Sequence, residues 1–237
     1  MAGNRSYGDA CRFAHALDLV GERWALLVVR ELLLGPKRFT DLRHGLPNAS
    51  SNILAARLRQ LEEGNVVRHR RLPPPAPASV YELTEWGREL EPIVTRLGAW
   101  GARSPSPPEQ AAIGPDSIVL AFRSLFDPAA AEGLTASYEL RLGNDDVFRI
   151  EVEEGELRLA RGTVEDPDGA IATDPGTLAG LLSGQLRLEV ALDSGLAEIE
   201  GSRRSVNGFL RLFPMPEPCR ISAPAPPEAV AGRGDGA

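Results

Sequence analysis

Helical periodicity in the first hundred residues, alternation from Tyr138 onward and a reversal of charge between them predict an α+β chain of two units. Residues 1–103 hold 15 Lys and Arg against 11 Asp and Glu, a net of +4. The remainder holds 11 against 22, a net of −11, so the overall −7 hides two modules suited to different partners. With 237 residues and 43% apolar side chains, both halves can build a core.

The first unit reads as helices followed by a hairpin. "DACRFAHALDLVG" places Phe13, Leu17 and Val20 at helical spacing, with Asp9 as the expected N-cap. "ERWALLVVRELLLG" is apolar nearly all round, which predicts the buried central helix, stopped by Gly35-Pro36. "TDLRHGL" predicts a short helix capped by Thr40 and ended by Pro47. "SSNILAARLRQLEEG" predicts a fresh helix capped by Ser50 and closed by Gly64. At about 100° per residue its Leu54, Leu58 and Leu61 share the core side, while Asn52, Ala56, Arg59 and Glu63 face outward. Val66–Leu72 and Val80–Leu83 read as two strands around the proline-rich tip "PPPAPAS". This order, helix, tight connection, helix, basic hairpin, is that of a winged helix-turn-helix.

"TEWGRELEPIVTRLGAWG" then sets Leu90, Ile93, Leu97 and Trp100 at helical spacing, with Pro92 kinking or restarting the helix. Such a face at the end of a module suits a dimer seam, and dimers join two short half-sites. "RSPSPPEQAAIGPD" reads as a linker. Beyond it, "YELRL", "VFRIEVEEG", "ELRLARG" and "DGAIATD" read as antiparallel strands. Two helices, "PGTLAGLLSG" and "RLEVALDSG", a strand, "AEIEG", and a last helix, "RRSVNGFLRLFPMP", complete the unit. The expected boundaries are 1–103, a linker over 104–116, a second domain over 117–222 and a disordered tail over 223–237.

Several classes are disfavoured. Cys11 and Cys219 are too few for a disulfide scaffold and match no metal spacing. The N-terminus lacks the apolar segment of a signal peptide, and no run of about 18 apolar residues occurs, so a cytoplasmic protein is expected. His15, His44 and His69 all lie in the first unit, and no catalytic triad spacing or phosphate-binding glycine loop is present. Asp145-Asp146 and the acids of "EVEEGE" suit turns and a solvated edge. The expectation is a non-enzyme without cofactor or metal.

"LDLVGERW", "ELLLGPKRFTDLR", "SSNILAARLRQLEEGNVV" and "YELTEWGREL", with Cys11 at the head of the first helix, resemble the HxlR family of MarR-like winged-helix regulators over about residues 9–102. The resemblance implies a homodimer on a pseudo-palindromic double-stranded DNA operator. The helix after Ser50 is then the recognition helix, and the hairpin is a wing along the phosphates. Candidate DNA-contacting residues are Arg38, Thr40, Ser50, Ser51, Asn52, Arg57, Arg59, Arg68, Arg70 and Arg71. The resemblance also marks Cys11 as a possible redox or electrophile sensor, although Arg12 stands where the family more often has Pro.

The stretch "AIATDPGTLAGLLSGQLRLEVALDSGLAEIEGSRRSVNGFLRLFP" resembles the sterol-carrier-protein-type domain over about residues 135–216. That implies an apolar pocket between sheet and helices and a hydrophobic small-molecule effector. Leu178, Leu181, Leu182, Phe209 and Leu212 are the candidate lining, unless they only pack the core. Two readings follow: a repressor responsive to a hydrophobic molecule, and, in another class, a ligand carrier whose winged helix mediates protein contacts.

Overall fold

A computed structural model describes residues 6–73, 77–106, 113–143 and 145–220. The expected tail over 223–237 and the core of the wing tip, residues 74–76, lie outside the described residues. The first unit runs α1 (Arg12–Val20), α2 (Ala25–Leu32), α3 (Phe39–Gly45), α4 (Ser51–Glu63), β1 (Val67–Arg71), β2 (Ser79–Leu83), α5 (Glu85–Arg88) and α6 (Glu91–Ala102). Its core joins Val28, Val29 and Leu32 of α2 to Leu42 of α3 and to Leu54, Leu58 and Leu61 of α4. The two strands pair antiparallel from Val67 opposite Leu83 to Arg71 opposite Ser79.

Local chemistry explains the element ends, with several corrections. Asp9 does not cap α1; it accepts the Cys11 N–H at 2.9 Å, and Cys11 holds the N-cap position. Thr40 lies inside α3, whose N-cap position is Arg38; the Arg38 N–H donates to Asp41 Oδ2 at 3.0 Å. The central helix starts late, at Ala25, because Trp24 has φ +80. Ser50 caps α4 as expected, its Oγ accepting from Ile53 N–H. Gly64 ends that helix, but the left-handed residue is Asn65, at φ +55. Pro92 occupies the first turn of α6 and so restarts rather than kinks the helix.

The second unit runs α7 (Pro115–Leu125), β3 (Ala136–Leu142), β4 (Asp146–Glu153), β5 (Glu156–Arg161), β6 (Gly169–Thr173), α8 (Pro175–Leu182), α9 (Leu188–Asp193), β7 (Ala197–Gly201) and α10 (Arg203–Arg211). Its sheet has the order β5-β4-β3-β6-β7. The expectation of antiparallel pairing fails at the centre, where β3 and β6 run parallel, Tyr138 opposite Gly169. The β4–β5 turn is a two-residue loop with Glu154 at φ +52 and Gly155 at φ +79, the primed geometry that matches strand twist. Phe122 of α7 stacks on Phe213 at 4.3 Å between ring centroids and meets Phe209 of α10 edge-on at 5.6 Å.

The sequence reading missed α7, because Pro115 and Asp116 look like the end of a linker. Proline is at home in a first helical turn, and Ile118, Val119 and Phe122 carry the helical spacing. The correction matters for the boundary. Asp116 is 3% exposed and pairs with Lys37, which belongs to the first unit. Lys37, the chain's sole lysine, also reaches Glu31 Oε2 at 2.5 Å, and Glu31 Oε1 accepts from Arg30 at 2.8 Å. On the other side Asp116 pairs with Arg161, whose second partner is Asp146 at 2.7 Å. A continuous run of alternating charges thus ties α2 to α7 and β5. Asp116→Ala leaves the buried Lys37 to share Glu31 with Arg30, so stability should fall, by up to about 3–5 kcal/mol, read as a lower urea midpoint at unchanged m-value.

Candidate nucleic-acid interface

Helix α4 stands on its leucine face, which fixes what its opposite face presents. Ser50, Ser51 and Asn52 are exposed at its N-terminus, and Arg59 is exposed two turns further on. The first N–H groups of a helix lack intrahelical partners and favour an anion. Across the turn, Arg38, Thr40, Arg43 and His44 are exposed on and before α3. Thr40, Arg43 and His44 line one surface depression with Ser50 and Ser51. Arg43 and His44 were not among the sequence candidates, yet they lie three and four residues after Thr40, the helical spacing that shares a face. Ile53, 42% exposed in the first turn of α4, was missed too, because an apolar residue there reads as core.

Arg57 is a correction. Its side chain is only 16% exposed and pairs with Glu22 at 3.4 Å. Position 57 falls three residues after Leu54 and four before Leu61, beside the buried stripe rather than opposite it. Arg57 therefore braces α4 against the α1–α2 connection and does not stand on the outer face.

The wing also differs from the expected row of parallel arginines. Strand alternation puts Arg68 and Arg70 on one face and His69 and Arg71 on the other. Glu82, 3% exposed, accepts from Arg68 Nε at 2.6 Å and forms an ion pair with Arg70, whose Nε is 2.9 Å away. Two cations share one carboxylate, so this face keeps a net charge of about one. The two side chains remain 61% and 47% exposed, and Glu82 fixes their direction. On the opposite face His69 stacks on Tyr81 at 4.6 Å between ring centroids, and Ser79 Oγ lies 2.7 Å from His69 Nε2. Arg71 is exposed, with no ion-pair partner among the described residues.

The other candidates fall in different surroundings. Cys11 is exposed, and N–H groups of Ala14 and Phe13 lower its thiol pKa from the ordinary value. Leu178, Leu181, Phe209 and Leu212 are at most 7% exposed, and all sit in the closed core of the second unit. They pack the sheet against the helices. Leu182 borders a cavity that opens between the two units. Among the described residues no group of three or more His, Cys, Asp and Glu side chains could hold a metal ion. Among the described residues no helix is long and apolar enough to cross a membrane.

Comparison with known proteins bears on the first unit. The HxlR-like helix-turn-helix family profile matches residues 19–108. The HTH-type transcriptional regulator YvaP of Bacillus subtilis is 37% identical over 89 residues, covering 38% of this chain and 82% of YvaP. YodB of the same organism, another HTH-type transcriptional regulator, is 36% identical over 85 residues, covering 36% of this chain and 76% of YodB. The solved reduced form of YodB matches 43% of this chain and 100% of its own at 32% identity and a TM-score of 0.37. The chain also spans 16% of the sec-alkylsulfatase Pisa1 from Pseudomonas sp., at 18% identity and a TM-score of 0.38, a likeness too slight to bear on function. With a winged helix-turn-helix in place, and relatives matched over most of their own length, the chain belongs to the HxlR-like helix-turn-helix family and is a DNA-binding transcriptional regulator.

Proposed function

We propose that the protein is a cytoplasmic homodimeric repressor that reads a pseudo-palindromic operator and answers to a hydrophobic small molecule. The observation that carries the reading is the joint exposure of the α4 N-terminus, Ser50–Asn52, with Arg38, Arg43 and the wing's Arg71. Asn52 and Arg59 supply side chains able to read adenine and guanine edges, and Ile53 can meet a thymine methyl. Arg38, Arg43, Arg68, Arg70 and Arg71 supply phosphate contacts. Two copies joined through α6 would set the recognition helices about 34–36 Å apart, one turn of duplex. The exposed apolar row Ile93, Leu97 and Trp100 on α6, with Phe13 on α1, supports that seam.

The second unit, a five-stranded sheet under helices, suits the sterol-carrier-like reading in outline. We read it as a non-catalytic module. Several of its acids are engaged structurally: Asp146 pairs with Arg161, Glu139 with Arg141, and Glu200 with Arg141. A second reading, thiol sensing, rests on the exposed Cys11 at a helix start. The reduced and quinone-bound forms solved for YodB concern that relative alone.

Duplex retention should fall steeply with salt, by about 10³–10⁵-fold between about 50 and 200 mM for 6–10 phosphate contacts. A flat salt response would show that the winged helix contacts protein instead. Arg71→Ala should weaken binding to all sequences alike and reduce the salt slope by about 1 per protomer, whereas Asn52→Ala should relax sequence preference; fluorescence anisotropy with operator and scrambled duplexes separates the two. A lowered thiol pKa means more thiolate at a given pH. The pH profile of iodoacetamide alkylation at Cys11 should therefore rise at lower pH than that of N-acetylcysteine, and alkylation that leaves operator affinity unchanged would end the sensor reading.

A further inference from the structure

Helix α2 is apolar on two sides, and only one of them belongs to its own unit. Val28, Val29 and Leu32 face the helix-turn-helix core, while Leu26 and Leu27 line a cavity shared with the second unit; Leu33, just past the helix end, lines it too while packing on the first-unit core. There, between α2, α6, α7 and α8, lies a cavity of about 1030 Å³. Leu26, Val94, Ala121, Leu125, Ala179 and Leu182 contribute to its walls, so both units build it. Ligand sites favour such junctions between units, and this volume is at the upper end of the 300–1,000 Å³ usual for drug-sized molecules.

The walls are propped apart. Lys37 and Asp116 fix the spacing of α2 and α7. At the other edge α6 and α7 already touch: Ser124 Oγ donates to Thr95 O at 3.0 Å, and a Cβ on Gly98 would stand 2.6 Å from Ser124 Oγ. These contacts set the spacing of α6 and α7, and of the α2 end and α7, on two sides of the cavity.

Its polar groups define what fits. The charged residues in the lining are Arg30 and Asp174. Arg30 is engaged by Glu31 at 2.8 Å, and Asp174 accepts from Gly176 N–H at 2.8 Å and Thr177 N–H at 3.0 Å. A charged ligand would lose water against Arg30 and Asp174, which already have ion-pair or hydrogen-bond partners, whereas the buried Arg30 Nε, without a hydrogen-bond partner among the described residues, can donate to an uncharged acceptor. A second copy of the chain has another place to bind. Ile93 and Trp100 sit on a different face of α6 from Val94, Gly98 and Ala102 and do not line the cavity, while Leu97 stands between the two faces and borders both. We propose that the cavity between α2, α6, α7 and α8 is a binding site for an uncharged, largely apolar small molecule. The regulatory meaning rests on the reading above: the occupant touches α2 and α6, which carry the helix-turn-helix core and the dimer face.

The test uses the full chain and the neutral fluorophore N-phenyl-1-naphthylamine. Wild type should show saturable, blue-shifted emission with one site per chain. Ala121→Trp and Ala179→Phe fill the cavity from opposite walls, and each should weaken that binding by about tenfold or more, with circular dichroism unchanged. If one variant fails to fold, the other decides. Absence of saturable emission in wild type, or unaltered affinity in a folded variant, overturns the proposal. Promoter-duplex retention is measured in parallel. Retention without probe binding sinks this site and leaves the regulator reading intact; probe binding without retention does the reverse.

Discussion

The Lys37 ammonium sits between Glu31 of the first unit and Asp116 of the second, and all three side chains are nearly shut off from water. Three charges in such a place are each costly alone, so their positions are mutually enforced: moving either carboxylate away leaves the buried lysine one partner short. Such pairs specify geometry more than they add stability. Here the geometry specified is the angle between a DNA-binding unit and the module behind it. Lys37 directly precedes Arg38, the N-cap residue of α3, and exchanges backbone hydrogen bonds with Tyr81 of the wing. The ion pair therefore ends at the base of both elements that present residues to DNA.

That arrangement gives the charge split of the chain a structural meaning. The acidic second unit is not a separate body on a long tether; it docks through α7 on α2 and α6. Some of its acids turn to its own arginines, as in Arg141 with Glu139 and Glu200. At the wing the same economy operates in reverse. Glu82 draws two guanidinium groups into a fixed direction and halves the charge they offer, leaving Arg71 on the wing and Arg38 and Arg43 at α3 as cations that no carboxylate shares among the described residues. Fewer free charges held rigidly can position a duplex better than more charges held loosely, because less side-chain freedom is lost on contact.

The leucines show how one residue type takes different duties. Leu178, Leu181, Phe209 and Leu212 close the sheet-and-helix core of the second unit, as the bland reading of their spacing allowed. The apolar surface left over lies outside that core, on α2, α6, α7 and α8, where two units meet without filling the gap. A helix apolar on every side, as α2 reads, can be buried within one unit or shared between two, and periodicity does not distinguish these.

Most elements were legible in the sequence because their causes are local. Ser50 caps α4, the leucine stripe of α4 repeats at helical spacing, and Glu154-Gly155 makes a tight hairpin; each depends on residues within a few positions of one another. The family marks in the first unit were legible for the same reason. Tertiary structure alone decided the rest. It paired Arg57 with Glu22, folded Arg68 and Arg70 onto Glu82, brought β6 parallel beside β3, and turned Asp116 from the end of an expected linker into a partner for Lys37. Each of those outcomes depends on which distant residues meet, and a one-dimensional pattern carries period and composition but not the distances across a fold.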